Sequence, residues 1–232
     1  MSRSMNIALQ GGGAHGAFTW GVLDRLLEDG SIALDGLSGT SAGAMNAVVL
    51  ADGYMKGGRD GAREALERFW LEMSADARFS PLQPGPIDQW LGRHNLDGSP
   101  TFLALDVLQL VLSPYDMPQG ANPLRELVER MIDFERVRSC DQLRLFVSAT
   151  NVQTGKARVF RTPEITLDVV MASACLPFLY RAVEIDGVPY WDGGYGGNPA
   201  LHPFFKGTRS NDILIVQINP VFREETPRGA RD

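Results

Sequence analysis

Three consecutive glycines placed directly after a short apolar run constrain this chain more than any other feature. Asn6-Ile7-Ala8-Leu9-Gln10 leads into Gly11-Gly12-Gly13-Ala14-His15-Gly16. A helical pattern follows over Ala17 to Glu28, with Phe18, Val22, Leu23, Leu26 and Leu27 on one face. A buried strand, a bare backbone bend and an amphipathic helix form the opening unit of an α/β sheet. About thirty residues later comes Gly39-Thr40-Ser41-Ala42-Gly43, a G-x-S-x-G elbow. A short strand at Leu37-Ser38 precedes it, and a helix rich in small residues, Ala42 to Met55, follows.

The rest of the chain keeps this alternation. Gly57-Gly58 ends the second helix, and Arg63 to Met73 reads as a third, with Leu66, Phe69, Trp70 and Met73 inside. Residues 78–100 are rich in proline and glycine and read as a long irregular excursion. Phe102 to Leu112 is a strongly apolar helix stopped by Ser113-Pro114. Asn122-Pro123 is a cap and first-turn proline for a helix reaching Ile132. Leu143 to Ala149 is a central strand, paired through Thr154-Gly155 with Ala157 to Arg161. Thr166 to Cys175 is a helix stopped by Pro177. Val183 to Ile185 and Val188 to Tyr190 flank Asp186-Gly187, a hairpin signal. Ile213 to Ile218 is the last strand. The expected architecture is a three-layer α/β/α sandwich around a mostly parallel central sheet. A single domain over residues 1–232 is expected, with an excursion at about 78–120. The polar tail Thr226 to Asp232 resembles the start of a helix, so a truncated C-terminus is expected.

Composition removes several classes of function. Lys and Arg number 22 against 28 Asp and Glu, a net charge of −6 that argues against a nucleic-acid footprint. A hydrophobic content of 44% excludes disorder. Two cysteines, Cys140 and Cys175, are too few for a disulfide framework. Neither a secretory h-region nor an eighteen-residue apolar run is present, so a cytoplasmic protein is expected. Contact with a membrane surface through apolar loops stays open. No His, Cys and Asp side chains have metal-ligand spacing, and no cofactor is expected.

The glycine run admits two chemistries. Gly11, Gly13 and Gly16 satisfy G-x-G-x-x-G after a strand and before a helix, which keeps a dinucleotide- or nucleotide-binding domain in play. That fingerprint needs an acidic residue at the end of the second strand, whereas Asp35 precedes the strand read at Leu37-Ser38. The other chemistry is acyl transfer. Ser41 at a helix start would be a nucleophile, and the amides of Gly12, Gly13 and Ala42 could converge on one oxyanion. A serine needs a base, and two arrangements supply one. A triad would use Ser41, Asp192 and His202, although His202 lies in the loop-like Asn198-Pro199-Ala200-Leu201-His202-Pro203. A dyad would use Asp192 alone, in Tyr190-Trp191-Asp192-Gly193-Gly194, where two glycines let the carboxylate turn inward and aromatic neighbours raise its basicity.

Gly11 to Gly16, Gly39 to Gly43 and Asp192-Gly193-Gly194, in this order and spacing, resemble the patatin-like phospholipase family. The stretch Ala172-Ser173-Ala174-Cys175-Leu176-Pro177 is similar to that family too, and the likeness runs from the first strand to about residue 220. The resemblance implies a Ser–Asp dyad like that of cytosolic phospholipase A2, with no calcium at the active site. It assigns Ser41 as nucleophile, Asp192 as general base and Gly11, Gly12 and Gly13 as the oxyanion hole. It implies a lipid-ester substrate, phospholipid or lysophospholipid, cleaved through an acyl-serine. One departure stands out: His15 occupies a position where many relatives carry Arg, which weakens electrostatic substrate binding there. His15 is read as packing at the helix start, with a substrate contact as the alternative.

The segment from Phe79 to Tyr115, with Trp90, Leu91, Phe102, Leu103, Leu108 and Val111, reads either as a lid or lipid-contacting surface or, in its helical part, as core. Ser173, Cys140 and Cys175 read as ordinary packed side chains, and His94 as surface.

Overall fold

The computed structural model describes residues 3–77, 113–116 and 122–222. The helix expected at Phe102 to Leu112, His94 and nearly all of the excursion lie outside the described residues.

The elements run β1 (Arg3–Leu9), α1 (Gly16–Asp29), β2 (Ile32–Gly39), α2 (Ala42–Ala77), α3 (Pro123–Met131), α4 (Phe134–Arg138), β3 (Arg144–Asn151), β4 (Ala157–Arg161), α5 (Leu167–Ser173), β5 (Val183–Ile185), β6 (Val188–Asp192), α6 (Phe204–Gly207) and β7 (Ile213–Val216). Strands β7, β1, β2 and β3 are parallel neighbours in that order. Strands β4 and β6 join β3 antiparallel, and β5 closes a hairpin on β6. Among the described residues the result is a mixed sheet of seven strands in an α/β sandwich.

Period-2 alternation sorts the strands between two cores. Ile7, Leu9, Leu145, Val147 and Ala149 face a large core shared with Leu23 and Leu27 of α1, much of α2, and Leu127 and Val128 of α3. Ala8 and Phe146 face the other way, against Phe204 of α6. Two readings of the sequence are corrected. Strand β2 begins at Ile32, not Leu37, because Asp35 is not a breaker here. Its carboxylate accepts the backbone N–H groups of Arg209 (2.5 Å) and Ser210 (2.7 Å) and a bond from Arg144 (3.1 Å), so it clips the approach to β7 onto the strand. The helices expected at 42–55 and 63–73 abut as α2, with only Gly57 and Gly58 outside helical geometry. Asn46 joins its halves: Trp70 donates to the Asn46 side chain (3.0 Å), which in turn donates to the Gly16 carbonyl at the start of α1 (3.1 Å).

Other local expectations hold. Asn122 caps α3 by accepting the amides of Leu124 and Arg125. Asp186 and Gly187 both take positive φ (53° and 75°), as a two-residue hairpin turn requires.

Two pairings place the site. Leu9 is the register partner of Gly39, so the glycine bend after β1 and the elbow after β2 emerge side by side at the carboxyl ends of adjacent parallel strands. On β3, Phe146 and Val147 pair with both β2 and β4, while Ala149 and Thr150 pair with both β4 and β6. Strands β2 and β6 therefore share one edge of β3, and β6 takes over where β2 ends.

Candidate active site

Ser41 sits at the elbow with φ of 53°, a left-handed conformation that costs a non-glycine residue about 1 kcal/mol or more. Its surroundings hold it there. The Thr40 N–H donates to the Leu9 carbonyl (3.3 Å), and the Gly43 N–H to the Thr40 carbonyl (2.8 Å). The Ser41 N–H donates to Ser173 Oγ (2.9 Å), and Ser173 Oγ donates to the Ser148 carbonyl (2.7 Å). Thr40 Oγ1 and Ser148 Oγ share a further bond (2.6 Å). Gly43 must be glycine, because a Cβ would collide with the Leu9 carbonyl oxygen. Ser173, expected to be an ordinary packed residue, thus supports the elbow. The one signal for it was its place in the stretch Ala172 to Pro177.

The glycine bend lies against the elbow. A Cβ on Gly11 would stand 2.8 Å from both Ser41 Cβ and the Thr40 carbonyl oxygen, so only glycine lets the two turns approach. The Gly11 N–H, expected to face an oxyanion, instead donates to Asn198 Oδ1 at 2.6 Å. Among the described residues the amides of Gly12 and Gly13 have no acceptor. The Ala42 N–H, at the first position of α2, is an orphan donor of the helix start. Nothing in the sequence singled out Asn198.

Asp192 ends β6, opposite Ala149, and is 6% exposed. Its Oδ1 accepts the Gly194 N–H (2.7 Å). Burial pushes this carboxyl above its ordinary value, while the Gly194 and Ser41 bonds pull the other way. The Asp192 N–H donates to the Cys175 carbonyl (2.8 Å). Burial pushes the Cys175 thiol up to about 11, so it stays protonated and is no rival nucleophile.

Among the described residues the histidines are His15 and His202. His15 is exposed at the end of the bend, and its Nδ1 donates to the Gly12 carbonyl (3.2 Å). His202 is exposed in a turn, and no histidine is among the groups that shift Asp192. The acidic residue a dinucleotide ribose would need is also missing: Asp35 lies in the first half of β2, away from the glycine bend, and is spent on Arg144, Arg209 and Ser210. Among the described residues no three His, Cys, Asp or Glu side chains gather as a metal site, and no helix is long and apolar enough to cross a membrane.

A tight glycine bend thus lies beside an elbow serine on an α/β sheet, with a buried carboxylate at the end of β6. The family model "Patatin-like phospholipase" matches residues 7–205, and the chain belongs to that family. No curated protein matches it. Among solved structures, VipD from Legionella pneumophila is 20% identical with a TM-score of 0.48, covering 93% of this chain and 49% of its own. ExoU in the heterodimeric ExoU–SpcU complex of the type III secretion system of Pseudomonas aeruginosa is 17% identical with a TM-score of 0.40, covering 92% of this chain and 43% of its own. The chain therefore spans about half the length of the solved structures it matches.

Proposed function

We propose that this chain hydrolyses carboxylic esters of lipids, phospholipid or lysophospholipid, through a Ser41–Asp192 dyad. Asp192 takes the Ser41 proton as Oγ attacks the ester carbonyl, and the negative charge on the carbonyl oxygen is held by the amides of Gly12, Gly13 and Ala42. The positive end of α2 adds to that stabilisation. Collapse of the tetrahedral intermediate expels the alcohol, which takes the proton from Asp192, and leaves an acyl-serine. Asp192 then deprotonates water, which attacks the acyl group; the second tetrahedral intermediate collapses, Ser41 Oγ leaves and takes the proton back from Asp192, and the fatty acid is released.

What supports this reading is the register that brings the elbow after Gly39 and the turn at Asp192 to one edge of β3, with a bond from the Ser41 hydroxyl among the causes that shift the Asp192 carboxyl. The exposed ring of Tyr195, close enough to feel the Asp192 charge, suits peripheral contact with a lipid surface. The test is covalent labelling by a fluorophosphonate, mapped by peptide mass spectrometry, with p-nitrophenyl ester hydrolysis by variants. Labelling at Ser41 and loss of activity in Ser41→Ala and Asp192→Asn are expected, with activity kept in His202→Ala. Retained activity in Asp192→Asn with loss in His202→Ala would overturn the dyad.

A further inference from the structure

The segment after Asp192 is fastened to each part of the site in turn. Ser38 Oγ donates to the Ala200 carbonyl (2.6 Å), and Thr40 Oγ1 to the Gly197 carbonyl (3.2 Å), which binds the segment to β2 and the elbow. Between those anchors, Asn198 reaches the glycine bend. Its Oδ1 accepts the Gly11 N–H at 2.6 Å, and its Nδ2 donates to the Gly11 carbonyl at 3.4 Å. A carboxamide both donates and accepts, so one side chain grips both polar groups of one residue.

That grip falls where it matters most. Three successive glycines have more conformational freedom than any other tripeptide, and freedom in an oxyanion hole is lost preorganisation. The far side of the bend is held as well: Gln10 Oε1 accepts the amides of Ile218 and Asn219 (2.7 and 2.8 Å), and Ile218 packs against Gly12. Gly12 and Gly13 lie just beyond the gripped residue.

We propose that Asn198 is a positioning residue for oxyanion stabilisation: it locks Gly11 so that the Gly12 and Gly13 amides point at the ester oxygen. It does not touch the substrate. The same strap links the base-bearing turn to the oxyanion donors, so general base and electrophile are set by one stretch of chain. The proposal rests on the hydrolase reading above.

The test uses the full chain as wild type, Asn198→Ala and Asn198→Asp. Active sites are counted by end-point fluorophosphonate labelling, p-nitrophenyl butyrate gives kcat per labelled site and KM, and a trifluoromethyl ketone reports affinity for the tetrahedral adduct. In Asn198→Ala, kcat per site is expected to fall by about 10–100-fold with KM within about twofold. Trifluoromethyl ketone affinity should fall in parallel, which a general loss of stability would not produce per labelled site. Asn198→Asp keeps the acceptor for the Gly11 amide and is expected to stay within about tenfold of wild type. Should Asn198→Ala fail to fold, Asn198→Asp decides: a folded, fully labelled but inactive protein would overturn the proposal. So would an Asn198→Ala enzyme within twofold of wild type, or one that lost kcat with unchanged ketone affinity. A wild type that neither reacts with the fluorophosphonate nor cleaves the ester overturns the hydrolase reading. A reactive wild type with an unaffected Asn198→Ala overturns this proposal alone.

Discussion

Gly39 and Asp192 address the same edge of β3, two residues apart: Gly39 pairs with Val147, and Asp192 with Ala149. Strand rise makes that offset about 7 Å. The elbow leaves β2 just after Gly39, and the carboxylate arrives on β6 in the space that β2 vacates. Residues remote in sequence become neighbours through one strand that both address.

The strained elbow separates two inactive variants. Ser41→Ala keeps a Cβ at positive φ, whereas Ser41→Gly relieves it. Hydrolysis should fall to background in both, with Ser41→Gly the more stable by about 1 kcal/mol. Urea denaturation midpoints check this, and equal midpoints would mean that the elbow stores no strain.

Asp192 has an ordinary carboxyl value of 3.8 that the fold raises. In the proposed dyad Asp192 acts ionised, so kcat/KM should decline on the acid side through the raised value rather than through 3.8. For stability the sign is opposite to that of a salt-bridged aspartate. The unfolded chain loses its proton first, so stability drops as pH climbs from 3.8 to the raised value, and the deficit persists at neutral pH. Asp192→Asn should therefore be inactive yet at least as stable as wild type at pH 7. Calorimetry checks it: a lower Tm in the variant at pH 7 would contradict the shift.

Gly11→Ala forces a methyl against Ser41 and Thr40. It should lower stability by about 1–3 kcal/mol and cut turnover by about 100-fold through displacement of the nucleophile. Gly155→Ala is the control. It has positive φ (68°), but no atom lies within 4 Å of its Cβ. It should cost about 1 kcal/mol and leave turnover per site unchanged.

Asp35→Ala leaves the amides of Arg209 and Ser210 without their shared acceptor. A loss of about 2–3 kcal/mol is expected from one buried carboxylate with three partners. Urea denaturation measures it, with kcat per labelled site unchanged because the cluster lies away from the elbow.

The sequence made the scaffold legible wherever local chemistry decides. The apolar run at Ile7 to Leu9, the cap at Asn122-Pro123 and the turn at Asp186-Gly187 each carry their own signal. Strand β2 was read too short because Asp35-Gly36 resembles a turn until the backbone of residues 209 and 210 arrives from the far end of the chain. Ser41 and Asp192 stand out because glycines bracket the first and follow the second. Ser173 and Asn198 did not, since each acts through a backbone group brought close only by the fold. The commitment of the Gly11 amide was invisible for the same reason.

Tyr190 lies two residues before Asp192 on β6 and so projects to the same side of the sheet. Its ring, 2% exposed, meets Phe160 edge-on at 5.6 Å, and its hydroxyl accepts from Arg158. Strand β6 is thus seated on an aromatic keel just before it ends in Asp192. A larger ring at position 160 would therefore press on β6 two residues before the strand ends in Asp192.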